Sequence, residues 1–248
     1  MSAKLADVVQ LPVRQVGTVA ADTMAGAAAA ARRMGRPSER EIDDWGRDAD
    51  AAAVAEAMSR LRWDIATGGI EHLPEDRGAL IVVNSRRFAL TPIYTAIALT
   101  RASGRPVRYA GRSDVAPLGP LERRIGGLLP IPDEIAGALR AHQLVVIAAA
   151  PTIRPRLVGT VDHAFVGAAL AAGAAVLPAA STSSPFGRQA RVEIGAAVRA
   201  PRKRRGPLAE LELADAIQRQ IASLLDEMGD INTGTPLDWL PMSGLGSH

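Results

Sequence analysis

Residues 68–84 read GGIEHLPEDRGALIVVN: a glycine pair, an Ile-Glu-His-Leu-Pro turn, a polar link, then Ala79-Leu80-Ile81-Val82-Val83 with no polar position. A strand with one wet face would alternate apolar and polar residues. Five apolar residues in a row, three of them β-branched, need cover on both faces, which a parallel sheet between helical layers provides. The strand ends abruptly in Asn84-Ser85-Arg86-Arg87.

The same pattern extends in both directions. Upstream, Ala53, Ala57 and Leu61 recur every four residues and predict a helix over Asp50–Leu61, followed by a strand over Trp63–Ile70. Downstream, Thr91-Pro92 opens a helix that runs to near Gly104, since proline is tolerated at the first helical position. Short strands are predicted over Val107–Ala110 and Leu128–Pro132, and a helical turn over Leu118–Ile125. A helix over Asp133–His142, a buried strand over Leu144–Ala148 and a helix over Val161–Ala172 follow. Strands over Ala174–Ala180 and Ala190–Ile194 complete the series. Leu213, Ile217, Ile221, Leu224 and Met228 fall at spacings of three and four, so a C-terminal helix covers Glu210–Met228. Strands alternating with helices specify an α/β fold with a mostly parallel central sheet flanked by helices. Residues 1–48 read as a helical extension and linker, 49–228 as the α/β domain and 229–248 as a polar, flexible tail.

Several function classes are excluded by what the 248 residues lack. There is no cysteine, hence no disulfide, thiol nucleophile or cysteine-based metal site. His72, His142, His163 and His248 share no metal-ligand spacing, and no glycine-rich phosphate loop, nucleophile elbow or His-Glu-x-x-His motif occurs. The reading calls for no cofactor and no metal. Lys4 and Lys203 are the only lysines, so the pI of 9.9 reflects a small arginine excess behind a net charge of +3. With aromatics at 3%, stacking platforms are scarce and nucleic acid is a poor partner. Heavy alanine and arginine usage with two lysines suggests a high-GC bacterial genome. Gly17–Ala31 is too short and too alanine-rich to span a bilayer. With no secretory signal, the expectation is a cytoplasmic chain.

The run from Gly68 to Asn84 resembles the start of the glycerolipid acyltransferase family, the PlsC-like lysophospholipid acyltransferases. The resemblance continues in order through Arg105–Tyr109, Gly126–Pro132, Leu144–Ala150, Ala174–Ala180 and Arg191–Gly195, covering about 140 residues from roughly Trp63 to Ala200. It implies the acyltransferase fold and an acyl-CoA or acyl carrier protein donor. It also implies a His-x4-Asp dyad after the first buried strand, in which imidazole takes the acceptor hydroxyl's proton and carboxylate orients the imidazole. In this chain Ser85 stands at the histidine position and Leu90 at the aspartate position. The family's Glu-Gly-Thr-Arg block, which helps hold the acceptor phosphate, corresponds to Ala150-Pro151-Thr152-Ile153-Arg154. Asp133 replaces the basic residue expected after the Ile-Pro stretch.

No catalytic residue is therefore assigned; Ser85 and Leu90 are vestigial positions, with Ser85 expected to cap the next helix or bond to backbone. Asn84, Arg86, Arg87, Thr152 and Arg154 are the candidate ligand-binding residues, the arginines suiting an anionic headgroup or carboxylate. The resulting expectation is a catalytically degenerate lipid- or acyl-binding or regulatory protein of membrane lipid metabolism. Arg202-Lys203-Arg204-Arg205 would hold it peripherally on the inner face of the cell membrane at about 1 kcal/mol per cation. Two alternatives stay open. One is a working acyltransferase that uses unfamiliar residues, such as His163 or His72 with Asp76, to acylate a lysophospholipid or glycerol phosphate. The other is a protein-binding module recruiting a partner through the N-terminal extension and the Trp239-Leu240-Pro241-Met242 tail.

Overall fold

The computed structural model describes residues 42–86, 90–114, 118–154, 156–184, 187–200 and 206–229. The Gly17–Ala31 segment, Arg87, the Arg202–Arg205 run and the tail from residue 230 lie outside them.

Among the described residues, seven strands and six helices follow in the order α1 (Ala49–Arg62), β1 (Asp64–Gly68), β2 (Ala79–Val83), α2 (Thr91–Ser103), β3 (Val107–Ala110), α3 (Leu118–Arg124), β4 (Gly127–Leu128), α4 (Pro132–Arg140), β5 (Leu144–Ala148), α5 (His163–Ala171), β6 (Ala175–Ser183), β7 (Gln189–Ile194) and α6 (Pro207–Met228). They form one sheet in the order β1-β7-β6-β2-β5-β3-β4, in which only the β6–β7 pairing is antiparallel. The α/β architecture with its mostly parallel central sheet is the one the sequence specifies.

β2 lies at the centre, and all five of its residues are fully buried. Alternation divides them between two cores. Leu80 and Val82 join Val145, Ile147 and Val176 beneath α4, α5 and α6. Ala79, Ile81 and Val83 join Val146, Leu177 and Val192 beneath α2. At roughly 1.5–3 kcal/mol per fully buried Val, Leu or Ile, this short strand is among the chain's largest contributors to stability. It cannot be shifted by one residue without exchanging the two cores.

Several boundaries differ from the sequence expectation, each for a local reason. β1 stops at Gly68 rather than Ile70, because Gly69 turns the chain at φ +70° into a short 3-10 turn over Ile70–His72. A Cβ at Gly69 would lie 1.9 Å from the Ile194 carbonyl oxygen, so the crossing admits only glycine. β4 is two residues long because Pro132 opens α4 instead of ending a strand. α5 starts at His163, where Asp162 accepts from the Ala164 N–H at 2.9 Å. Val158 and Val161 reach the core from loop rather than helix. β6 runs on to Ser183 because antiparallel β7 pairs with it as far as Ser183–Ala190.

The segment just before α1 straps onto the sheet edge. Asp48 caps α1 by accepting from the Asp50 and Ala51 N–H groups at 2.9 and 3.1 Å, and binds Arg124 of α3 through Nε and Nη2 at 3.0 and 2.5 Å. Burial pushes its carboxyl pKa up, but Arg124 and the two N–H groups outweigh that and hold it below the ordinary value. Asp43 reaches Arg108 Nη2 at 2.5 Å. Arg108 is completely buried in β3; its Nε donates to Gln143 at 2.9 Å and its guanidinium lies 5.9 Å from the Trp45 ring. Burial holds its pKa below the usual arginine value, with Asp43 opposing the shift.

Candidate functional site

β2, β3, β5 and β6 are mutually parallel, so their C-terminal ends share one edge of the sheet. From β2 the chain crosses by α2 towards β3; from β5 it crosses by α5 the other way, to β6. Ligand crevices in open α/β sheets form where neighbouring strands send their connections in opposite directions. Here that point lies between the ends of β2 and β5.

In this chain the two ends stay paired beyond the strands. Ala149 N–H donates to the Val83 carbonyl at 2.8 Å and Thr152 N–H to the Ser85 carbonyl at 3.0 Å, with Arg86 and Thr152 forming a parallel bridge. β2 therefore follows β5 and leaves β6, whose ladder with β2 ends at Val83–Ala179. Asn84 fills the gap with its side chain. Its Nδ2 donates to the Ser181 carbonyl at 2.9 Å and its Oδ1 accepts the Ser181 N–H at 2.7 Å. The carboxamide thus imitates the next peptide group of the ladder, in a site where Asn84 and Ser181 are both buried. The Ser181 hydroxyl shares a hydrogen bond with Tyr94 of α2, whose ring lies 5.1 Å from that of Trp63.

The residues singled out from the sequence divide accordingly. Asn84, Ser85, Arg86 and Thr152 come together at this edge. Ser85 is buried, but it does not cap α2: that helix begins at Thr91 with Leu90 at the cap and no side-chain cap bond. Leu90, at the position of the resemblance's aspartate, is an exposed hydrocarbon. The Thr152 hydroxyl donates to the Leu157 carbonyl at 2.8 Å, folding its loop on itself, while Ile153 and Arg154 are exposed and Arg86 is half-buried. Asp133 is exposed in the first turn of α4, where the helix dipole favours a carboxylate, and neighbouring Glu134 accepts from the Leu129 N–H at 3.1 Å.

The histidines do not converge on Ser85. His72 ends the 3-10 turn and Asp76 follows it in the link to β2; between them the Pro74 carbonyl accepts from Arg105, which enters β3 at the far edge of the sheet. His142, at φ +59°, turns the chain into β5, also at the far edge. His163 alone among these three lies on the near side, at the start of α5 in a cleft beside Ala148 and Ala150.

Sequence reasoning missed the Asn84–Ser181 splice, the Tyr94–Ser181 hydroxyl pair and buried Arg108. Only Arg108 carried a sequence signal: an arginine inside the short apolar strand Val107–Ala110, where a charge needs a partner.

No protein-family model and no curated protein matches the chain. Among solved structures it is similar to the 1-acyl-sn-glycerophosphate (LPA) acyltransferase PlsC from Thermotoga maritima, with a TM-score of 0.54 and 15% sequence identity, over 83% of this chain and 90% of that one. At that identity the likeness shows a shared fold.

Proposed function

We propose that this chain is a catalytically degenerate protein of the acyltransferase fold, binding a phospholipid or acyl ligand at the C-terminal edge of the sheet rather than transferring an acyl group. The observation that carries the reading is the chemistry at the end of β2. A buried serine and an exposed leucine occupy Ser85 and Leu90, where the resemblance calls for imidazole and carboxylate. Loss of a general base alone costs ~10²- to 10⁴-fold in rate. Asn84 and Thr152 direct polar groups at the chain's own backbone, which leaves Arg86 and Arg154, with Arg87 from the sequence, to meet an anionic headgroup by charge-assisted hydrogen bonds. The Arg202–Arg205 run supports peripheral attachment to an anionic inner membrane face. No helix among the described residues is long and apolar enough to cross a membrane.

A second reading, a working acyltransferase with a relocated base, draws on His163 in its cleft. One assay separates the two. Labelled acyl-CoA and acyl carrier protein are offered with lysophosphatidate, glycerol 3-phosphate and lysophospholipid acceptors, against Ser85→Ala and heat-killed blanks. Turnover no greater than the blanks is expected. Turnover that His163→Ala abolishes would replace the first reading with the second. Binding is checked by lipid extracted from the purified protein, which should fall when Arg86 and Arg154 are both changed to alanine; unchanged lipid content would sink the proposed site.

A further inference from the structure

The connection from β5 to α5 is a loop with a closed neck and a protruding tip. At the neck the Ala150 N–H donates to the Thr160 carbonyl at 2.8 Å. A Cβ at Gly159 would lie 1.9 Å from the Ala150 carbonyl oxygen, so the two arms touch through backbone. The loop sorts its apolar residues by position. Val158 and Val161 are buried in the core beside the neck, whereas Ile153 is 77% exposed and Leu157 56%. No large hydrophobic side chain among the described residues is more exposed than Ile153. The tip is nonetheless tied by its own hydrogen bonds. The Leu157 N–H donates to the Arg154 carbonyl at 3.3 Å, and the Thr152 hydroxyl lies 3.1 and 2.8 Å from the Arg154 and Leu157 carbonyls. The Thr152 N–H is held by the Ser85 carbonyl, and Pro151 and Pro155 have no N–H to satisfy. A tip whose backbone groups are largely paired can leave water without the cost that keeps open loops out of hydrocarbon.

The charge around this tip has one sign. Residues 84–90 and 149–161, the connections that leave β2 and β5, contain Arg86, Arg87, Arg154 and Arg156 and no aspartate or glutamate. Arg86 is joined to the tip by its parallel bridge to Thr152. Arg154 and Arg156 are exposed on either side of Pro155, and neither Arg86 nor Arg154 forms an ion pair among the described residues. Two protruding hydrocarbons in a tied turn among arginines match an anionic lipid surface: headgroups meet the guanidiniums while the aliphatic side chains reach the acyl boundary. A protein partner for such a convex tip would have to supply a fitted groove, whereas a bilayer yields to it anywhere. We infer that Ile153 and Leu157 insert into an anionic bilayer with Arg86, Arg154 and Arg156 at headgroup level, so that the ends of β2 and β5 face the membrane. The inference rests on the peripheral attachment proposed above and adds the surface that makes the contact.

The chain has no cysteine, so one introduced thiol reports a single position. A nitroxide on Ile153→Cys of the full chain is compared with one on Ala141→Cys, an exposed position where α4 turns into β5 at the far edge. On phosphatidylcholine vesicles containing phosphatidylglycerol, the label at position 153 should become more accessible to oxygen and less accessible to a water-soluble nickel chelate. The label at position 141 should do neither. Ile153→Ser should weaken co-sedimentation with these vesicles about fivefold, and Leu157→Ser by a similar factor, with thermal unfolding unchanged because both side chains lie outside the core. No co-sedimentation at all would overturn the attachment and the inference together. Co-sedimentation with the label at position 153 still in water would overturn the inference alone. A label there that becomes immobile as the protein is concentrated without vesicles would assign the tip to a second copy of the chain and overturn it too. Ligand binding at Arg86 and Arg154 is judged separately, by the lipid extracted from the purified protein.

Discussion

Replacing Asn84 with alanine tests whether a side chain completes the sheet where β2 parts from β6. The substitution removes the acceptor at 2.7 Å from the Ser181 N–H and the donor at 2.9 Å from its carbonyl. Both backbone groups belong to a residue 3% exposed, next to one 2% exposed, so water does not readily take over. A buried polar group left without a partner costs about 1–3 kcal/mol; two of them place the loss at about 3–4 kcal/mol. With a urea m-value of about 3 kcal/mol/M, suited to a chain this long, the unfolding midpoint should fall by about 1 M at unchanged m. Asn84→Asp sharpens the test. A protonated aspartic acid can reproduce both hydrogen bonds, whereas the carboxylate repels the Ser181 carbonyl, so burial and that carbonyl raise its folded-state pKa. A raised pKa contributes stability that is complete below the unfolded value and lost as pH rises through the folded one. Asn84→Asp should therefore approach wild type in acid and Asn84→Ala at neutral pH. A cost below 1 kcal/mol for Asn84→Ala, or an Asn84→Asp penalty independent of pH, would refute the splice.

Three further outcomes are expected from urea or thermal unfolding. Asp48→Ala should cost about 2–3 kcal/mol by removing the α1 cap and the Arg124 pair together. Because the Asp48 pKa is lowered on folding, its contribution is present above the unfolded carboxylate value, and the gap to wild type should narrow as pH falls through the folded one. Arg108→Met should change stability by less than about 1 kcal/mol, whereas Asp43→Asn should cost about 3 kcal/mol. The first removes a fully buried charge and lets the partly exposed Asp43 hydrate; the second leaves that charge unpaired. Equal penalties would contradict this account. Gly69→Ala should cost more than about 2 kcal/mol, since its Cβ would strike the Ile194 carbonyl at a positive φ; a change under 0.5 kcal/mol would show that the crossing relaxes.

The fold was legible because its determinants are local in the chain. Ala79–Val83 needs two covered faces whatever surrounds it, and the apolar spacing from Leu213 to Met228 leaves α6 one way to bury its stripe. Strand ends were less legible. β6 gains its last residues only because β7 lies beside them, and Val161 reaches the core from a loop that a helical period would also have allowed.

The candidate site divides in the same way. The sequence alone determined what stands at the end of β2: Ser85 and Leu90 lack the proton affinity for base chemistry in any conformation, because that is a property of the side chain itself. Tertiary structure decided where each polar group is directed. Asn84 and Ser181 are 97 residues apart and meet only across the sheet, and Arg108 finds Asp43 across 65. Helical and strand periods record which face of an element is buried; they carry no record of which distant element supplies the partner, because that is fixed by the packing of the whole sheet.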